Sequence, residues 1–151
     1  MGDAVDVLQA IRSARKRPAI IYADPPYTRD HYSRFYHLYE TIWNNDRPSV
    51  VGRGLCRNDT KPSQFSTKSS VASAMKALLD ASAAIGADVV LSYPTNGLLE
   101  NARSHLRALL TERYSMLEIV AIRSNHSTLG ASKGLERQAV TELIFKATGA
   151  R

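Results

Sequence analysis

Ala19-Ile20-Ile21-Tyr22-Ala23-Asp24-Pro25-Pro26-Tyr27 is the stretch whose reading decides the fold. Its first five residues are apolar without a break, and proline stands on both sides, at 18 and at 25. A short continuous run of this kind predicts a strand buried on both faces, as in a parallel α/β sheet. Asp24-Pro25-Pro26-Tyr27 then falls just beyond the strand's C-terminal end, where open α/β sheets bind their ligands. The two prolines fix φ at successive residues and donate no hydrogen bonds. Neighbouring carbonyls are thereby held rigidly, and the Asp24 carboxylate joins them in one cluster of acceptors. The complement of that cluster is a planar amino group with two N–H donors, beside which Tyr27 can stack on an aromatic ring. A plain strand-ending turn with a packed tyrosine is the alternative reading of these four residues.

Working outward, the pattern predicts an alternation of helices and strands. Asp3 is placed to cap a helix whose face is Ala4, Val7, Leu8, Ile11 and Ala14, with Arg15, Lys16 and Arg17 at its C-terminal end and Pro18 as its stop. After the motif, residues 33–43 are compatible with a short helix, and 46–66 read as a long loop because Pro48, Gly52, Gly54, Asn58, Asp59 and Pro62 fall there. A helix from Ser66 or Thr67 to about Ile85 carries Val71, Met75, Leu78, Leu79 and Ser82 at helical spacing. Ala87–Tyr93 is a second strand, Pro94–Gly97 a turn, 98–113 a helix, Met116–Ile122 a third strand, 123–138 a polar loop and Ala139–Ala147 a last strand. Alternation implies an α/β fold with a mostly parallel sheet and helices on both faces. The final two strands, joined without a helix, are expected to be an antiparallel pair.

The 151 residues suffice for one core. No apolar run reaches the length of a membrane span, and the front of the chain does not resemble a signal peptide. A single cysteine excludes a disulfide framework and fits a reducing cytoplasm; with four scattered histidines it makes a metal site improbable. The net charge is +6. Residues 29–68 and 123–151 each contribute +3 and each contain a predicted loop, so two loops flanking a polyanion and a merely solubilising surface are equally good readings of the charge.

The acceptor cluster suits methylation of an exocyclic amine. Such a nitrogen is a poor nucleophile because its lone pair is delocalised into the ring. Acceptors on its two hydrogens draw it toward tetrahedral geometry and stabilise the positive charge that develops there.

Three segments carry a resemblance that spans nearly the whole chain. Tyr22-Ala23-Asp24-Pro25-Pro26-Tyr27-Thr28-Arg29-Asp30-His31-Tyr32-Ser33-Arg34-Phe35-Tyr36-His37 resembles the catalytic segment of adenine-specific DNA methyltransferases of the DNA adenine methylase family. Leu91 to Leu99 resembles the end of that family's next strand, and Asn125–Thr128 through Gly134 with Val140–Phe145 resembles its terminal hairpin. The resemblance implies a Rossmann-like methyltransferase fold, S-adenosylmethionine as methyl donor and double-stranded DNA as substrate, with the target adenine flipped from the duplex. It implies Asp24, Pro25, Pro26 and Tyr27 as the catalytic set. Asp24 and the Pro25 carbonyl hold the amino group and also border the donor, and Tyr27 stacks on the base. It further implies DNA contacts by Arg29, Tyr32, Arg34, Lys133 and Arg137, although each of these arginines and the lysine reads equally as a solvated surface charge. Tyr32, Phe35 and Tyr36 are candidates for base stacking, with core packing an equal account of Phe35. His31 and His37 read as surface or packing residues, and Asn96 as part of a plain Asn-Gly turn, with a place in the pocket lining as the alternative.

One departure stands against this match. The family's Phe-x-Gly-x-Gly donor loop precedes the Asp-Pro-Pro-Tyr segment, yet here 23 residues precede Asp24 and Gly2 is the only glycine among them. Residues 1–151 are accordingly expected to form one partial catalytic domain, the target-base half, with the first strands missing and the donor-binding half on another polypeptide or lost through truncation. The 20–22 strand would then be an apolar, unpaired sheet edge. A non-catalytic nucleic-acid-binding remnant, or an amine methyltransferase acting on RNA or protein, are the other readings.

Overall fold

In the computed structural model the described residues are 3–29, 32–59, 63–126 and 138–151, apart from the side chains of 34, 35, 124–126 and 138. In chain order the elements are α1 (Ala4–Arg12), β1 (Ile20–Ala23), α2 (Tyr32–Asn44), β2 (Val50–Val51), β3 (Cys56–Arg57), a 3-10 turn at Gln64–Ser66, α3 (Val71–Ala84), β4 (Asp88–Pro94), α4 (Ala102–Arg113), β5 (Tyr114–His126) and β6 (Gln138–Ala150).

α1 starts on the expected cap, where the Val5 N–H donates to Asp3 Oδ1 at 2.8 Å. It ends at Arg12 rather than running to Arg17. Arg15, Lys16 and Arg17 are three like charges in succession, and all are exposed, so burial offers nothing to hold them in a helix. α3 begins at Val71, later than Ser66 or Thr67, because the 3-10 turn occupies the preceding residues and the Val71 N–H bonds back to the Thr67 carbonyl. α4 likewise begins at Ala102 rather than near residue 98, since Asn101 takes a left-handed conformation (φ 51°) that helical backbone does not admit.

The main sheet has the order β1-β4-β6-β5. β1 and β4 are parallel, whereas β6 lies antiparallel to both β4 and β5. The terminal pair is antiparallel as expected, but the parallel share of the sheet is smaller than the alternating order implies. β6 runs back along β5 and inserts beside β4 instead of extending the far edge.

Alternation along the strands separates two faces. Ile21, Ala23, Val89, Leu91, Tyr93, Leu143, Phe145 and Ala147 point toward one side, where they join Met75, Leu79, Leu106 and Leu110 of α3 and α4 in the core. α3 packs against α1 and α4 in the same layer. On the opposite face Ile20 and Tyr22 are 62% and 67% exposed, and Met116, Val120 and Ile122 are exposed too. Helices on both faces were expected; among the described residues only one face is covered. β1 is therefore not buried on both faces. It is an edge strand, as the missing first strands imply, paired among the described residues with β4 alone, and its apolar outer face meets solvent.

Residues 46–66, expected as a loop, hold the small β2–β3 hairpin and the 3-10 turn. Two strands of two residues each make no periodic pattern for a sequence reading to detect. α2 is present as expected, a residue longer at each end, but none of its described side chains is buried.

Candidate active site

Parallel pairing of β1 with β4 sets the C-terminal ends of both strands side by side, with Ala23 opposite Leu91. The segments that leave those ends therefore meet. Pro25 and Pro26 are buried, Tyr27 is half-buried and the Asp24 side chain is exposed. The Leu98 N–H donates to the Tyr27 carbonyl at 3.0 Å, which fastens the motif to the turn after β4. That turn is itself anchored from below. The hydroxyl of Tyr93, fully buried, accepts from the Leu99 N–H at 3.1 Å. Gly97 lies against the same ring: a Cβ there would fall 2.6 Å from Tyr93 Cε1, so only glycine fits without displacement.

A second anchor comes from α2. The Tyr32 hydroxyl donates to the Asp24 carbonyl at 3.1 Å. Asp24 O and Tyr27 O are thus both engaged, while the Pro25 carbonyl between them accepts no hydrogen bond among the described residues. Burial, the Asp24 carboxylate and the neighbouring tyrosines 27, 36 and 22 push the Tyr32 hydroxyl up to about 12. Burial raises the Tyr27 hydroxyl as well, with the charges of Glu142 and Asp24 adding to it. Both phenols are therefore neutral at ordinary pH, and that of Tyr32 is a donor. From Tyr32 an aromatic row continues along α2, with ring centroids 6.1 Å apart for Tyr32–Tyr36 and 6.2 Å for Tyr36–Tyr39.

Two acids, not one, face Tyr27. Glu142 of β6 bonds the nearly buried Ser92 hydroxyl across the β4–β6 pairing. Sequence reasoning missed Glu142. Its only signal was a carboxylate inside a largely apolar strand, Val140 to Phe145, which called for a partner on the neighbouring strand.

Arg29, on the exposed segment just past Tyr27, lines a groove of about 390 Å³ together with Ser66, Thr67, Lys68 and Ser69. Lys68, also unremarked in the sequence, forms an exposed ion pair with Glu100 at 2.7 Å. Tyr32 keeps a partly exposed ring although its hydroxyl is used on Asp24. Tyr36 is exposed, His37 half-buried and Asn96 exposed in its turn. The Arg34 backbone belongs to α2, while its side chain and that of Phe35 lie outside the described residues, as do His31, Lys133 and Arg137. The structure thus brings Asp24, Pro25, Pro26, Tyr27 and Tyr32 together, with Arg29 alongside. Among the described residues no group of three or more His, Cys, Asp or Glu is placed to hold a metal ion. No helix among them is long and apolar enough to cross a membrane.

No curated protein matches the chain. A family model does: that of the D12 class N6 adenine-specific DNA methyltransferases matches residues 4–123, from α1 into β5, and includes the whole of the Asp-Pro-Pro-Tyr segment. A match over that much of the chain settles its kinship, and the protein belongs to the D12 class of N6 adenine-specific DNA methyltransferases.

Proposed function

We propose that the chain is the target-base half of an S-adenosylmethionine-dependent methyltransferase, acting on the 6-amino group of an adenine flipped out of duplex DNA. The observation that carries this reading is the Pro25 carbonyl, which accepts no hydrogen bond among the described residues, between two anchored neighbours and beside the exposed Asp24 carboxylate. An amino group seated there gives one hydrogen to each acceptor. Its lone pair is then directed away from the ring plane, and the positive charge that grows on nitrogen is met by Asp24. Tyr27 stacks on the base, and its carbonyl bond to Leu98 keeps the ring from following the substrate out. When bound, S-adenosylmethionine supplies an electrophilic methyl group on a sulfonium centre. Asp24 and Pro25 fit the methyl side of that donor. Residues 3–23, however, contain no glycine turn for its adenosyl part.

The same reading gives the uncovered sheet a role. The Rossmann-like fold is completed by donor-binding strands and helices that extend the β1 edge and cover Ile20, Tyr22, Val120 and Ile122, whether they come from the same polypeptide or another. DNA approaches over the motif, with Arg29 and Lys68 at a phosphate beside the flipped base and the serine and threonine hydroxyls of that groove as donors. The ring of Tyr32, with Arg34, Lys133 and Arg137, completes the DNA-facing set.

The test is mass-spectrometric. The chain and a donor with a deuterated methyl are incubated with duplex DNA, RNA and protein, alone and mixed with the glycine-loop half of another D12-class enzyme. The expected product is labelled N6-methyladenine in DNA, lost with Asp24→Ala while circular dichroism shows the fold intact. Label confined to RNA or protein, or label indifferent to Asp24→Ala, contradicts the proposal. Salt-sensitive DNA binding without label in any arm favours a non-catalytic remnant.

A further inference from the structure

The β2–β3 hairpin plays no part in the site described so far, yet it is built as a rigid arm. Arg57 at its root is 7% exposed and forks onto two carboxylates. Its Nη1 and Nη2 donate to Asp46 at 2.6 and 2.8 Å, and its Nε and Nη2 donate to Asp59 at 2.9 and 2.8 Å. Nη1 also reaches Thr41 Oγ1 at 3.3 Å, which ties the hairpin to the last turn of α2. Paired arginine–carboxylate forks of this kind fix orientation as well as distance.

The tip held by this clamp is chemically unlike a solubilising turn. Leu55 is 65% exposed and sits at φ 48°, a conformation that an L side chain avoids. Burial does not repay that strain in the free protein, so the strain holds an apolar side chain out in water. Arg53 stands between Gly52 and Gly54, exposed and without an ion pair among the described residues; Arg47 at the hairpin's base is the same. The only two acids of the segment, Asp46 and Asp59, are both committed to Arg57. The free charge on the arm is therefore positive. An apolar wedge beside an arginine is a combination that enters DNA grooves and opens base steps.

α2 sets how far away this happens. Its first residue, Tyr32, is bonded to the Asp24 carbonyl and its C-terminal end to the clamp. A helix of 13 residues spans about 20 Å, which is about six base steps of one strand. We propose that the β2–β3 hairpin is a second DNA contact, with Arg53 and Leu55 entering a groove roughly six base pairs from the target adenine. This rests on the reading of the chain as DNA-modifying.

The experiment is fluorescence anisotropy with a labelled mixed-sequence duplex over a range of salt, using the wild-type chain, Arg53→Ala and Leu55→Gly. Trp43, the only tryptophan and 89% exposed beside the clamp, gives a second signal. Arg53→Ala is expected to weaken binding roughly five- to tenfold and to make the salt dependence shallower by about one ion. Leu55→Gly is expected to keep its melting temperature, because glycine accepts the positive φ, yet to bind more weakly and to lose the change in Trp43 emission on adding DNA. Variants that bind with wild-type affinity and salt dependence overturn the inference while leaving the DNA reading standing. Variants that lose self-association and not DNA binding overturn it in favour of a protein contact. A wild-type chain without salt-sensitive DNA binding overturns the inference and the underlying reading together.

Discussion

Tyr93→Phe removes one oxygen from the support beneath the motif, and the structure fixes what that costs. The phenol is fully buried and accepts the Leu99 N–H, itself in a residue only 3% exposed. Phenylalanine fills the same space but leaves that N–H buried with no acceptor. A buried donor so orphaned costs about 1–3 kcal/mol. For a domain of 151 residues each kcal/mol lowers the melting temperature by about 2–4 °C, so a fall of about 4–8 °C is expected from the middle of that range. The loss should also travel. Leu98, next in the chain, donates to the Tyr27 carbonyl, so loosening the 94–99 turn should raise amide exchange at Leu98 as well as at Leu99. Calorimetry gives the first quantity and hydrogen exchange by NMR the second. An unchanged melting temperature, or a lowered one with Leu98 still protected, refutes the idea that Tyr93 braces the motif.

The hairpin clamp should respond to acid and not to mild changes of pH. Hydrogen bonds from Arg57 hold the Asp46 and Asp59 carboxyls below their ordinary range. A depressed folded-state value means that the stabilisation is present above the unfolded value, about 3.9, and is lost as the pH falls through the lower folded values. Trp43 emission should therefore hold steady from neutral pH down to about 4 and change below it, with no such step in Arg57→Met; a step above pH 5 contradicts the assignment. Along the open edge, Tyr22→Lys should reduce concentration-dependent association in sedimentation velocity, because a charge on an exposed strand opposes pairing. Association equal to wild type would show that β1 is not the adhesive edge.

What was legible in the sequence was whatever repeats over several residues. The α3 face of Val71, Met75, Leu78 and Leu79 stood out because burial imposes a helical period on it, and β1, β4, β5 and β6 stood out as short apolar runs bounded by polar or turn-forming residues. Asp3 was readable as a cap because its side chain bonds within its own turn. The motif at 24–27 was legible for a related reason: two prolines act on their own backbone whatever surrounds them. Features decided by distant partners were hidden. Nothing near Glu142 announces that it will meet Ser92 fifty residues away along the chain. The edge position of β1 was foreseen from the missing first strands, but nothing in Ala19–Ala23 itself reveals that Ile20 and Tyr22 will stand in water rather than be buried on both faces. The aromatic residues of α2 suggested packing or stacking, and only the coordinates place Tyr36, Tyr39 and Trp43 outside the core. The β2–β3 arm depends on Arg57 reaching Asp46, and a sequence rich in glycine, proline and asparagine reads as a loop whether or not such a clamp exists.

The most direct test of the account asks whether the oxygens beyond Ala23 grip an amino group. Deoxyadenosine and its analogue lacking the 6-amino group, purine deoxyriboside, are titrated into the 15N-labelled chain and followed by NMR. Deoxyadenosine should shift the amides of Asp24, Tyr27 and Leu98, the analogue should bind measurably more weakly, and Asp24→Ala should erase the difference. Equal binding of the two nucleosides, or shifts confined to residues away from the motif, would contradict the claim that Asp24 and Pro25 recognise adenine by its amine.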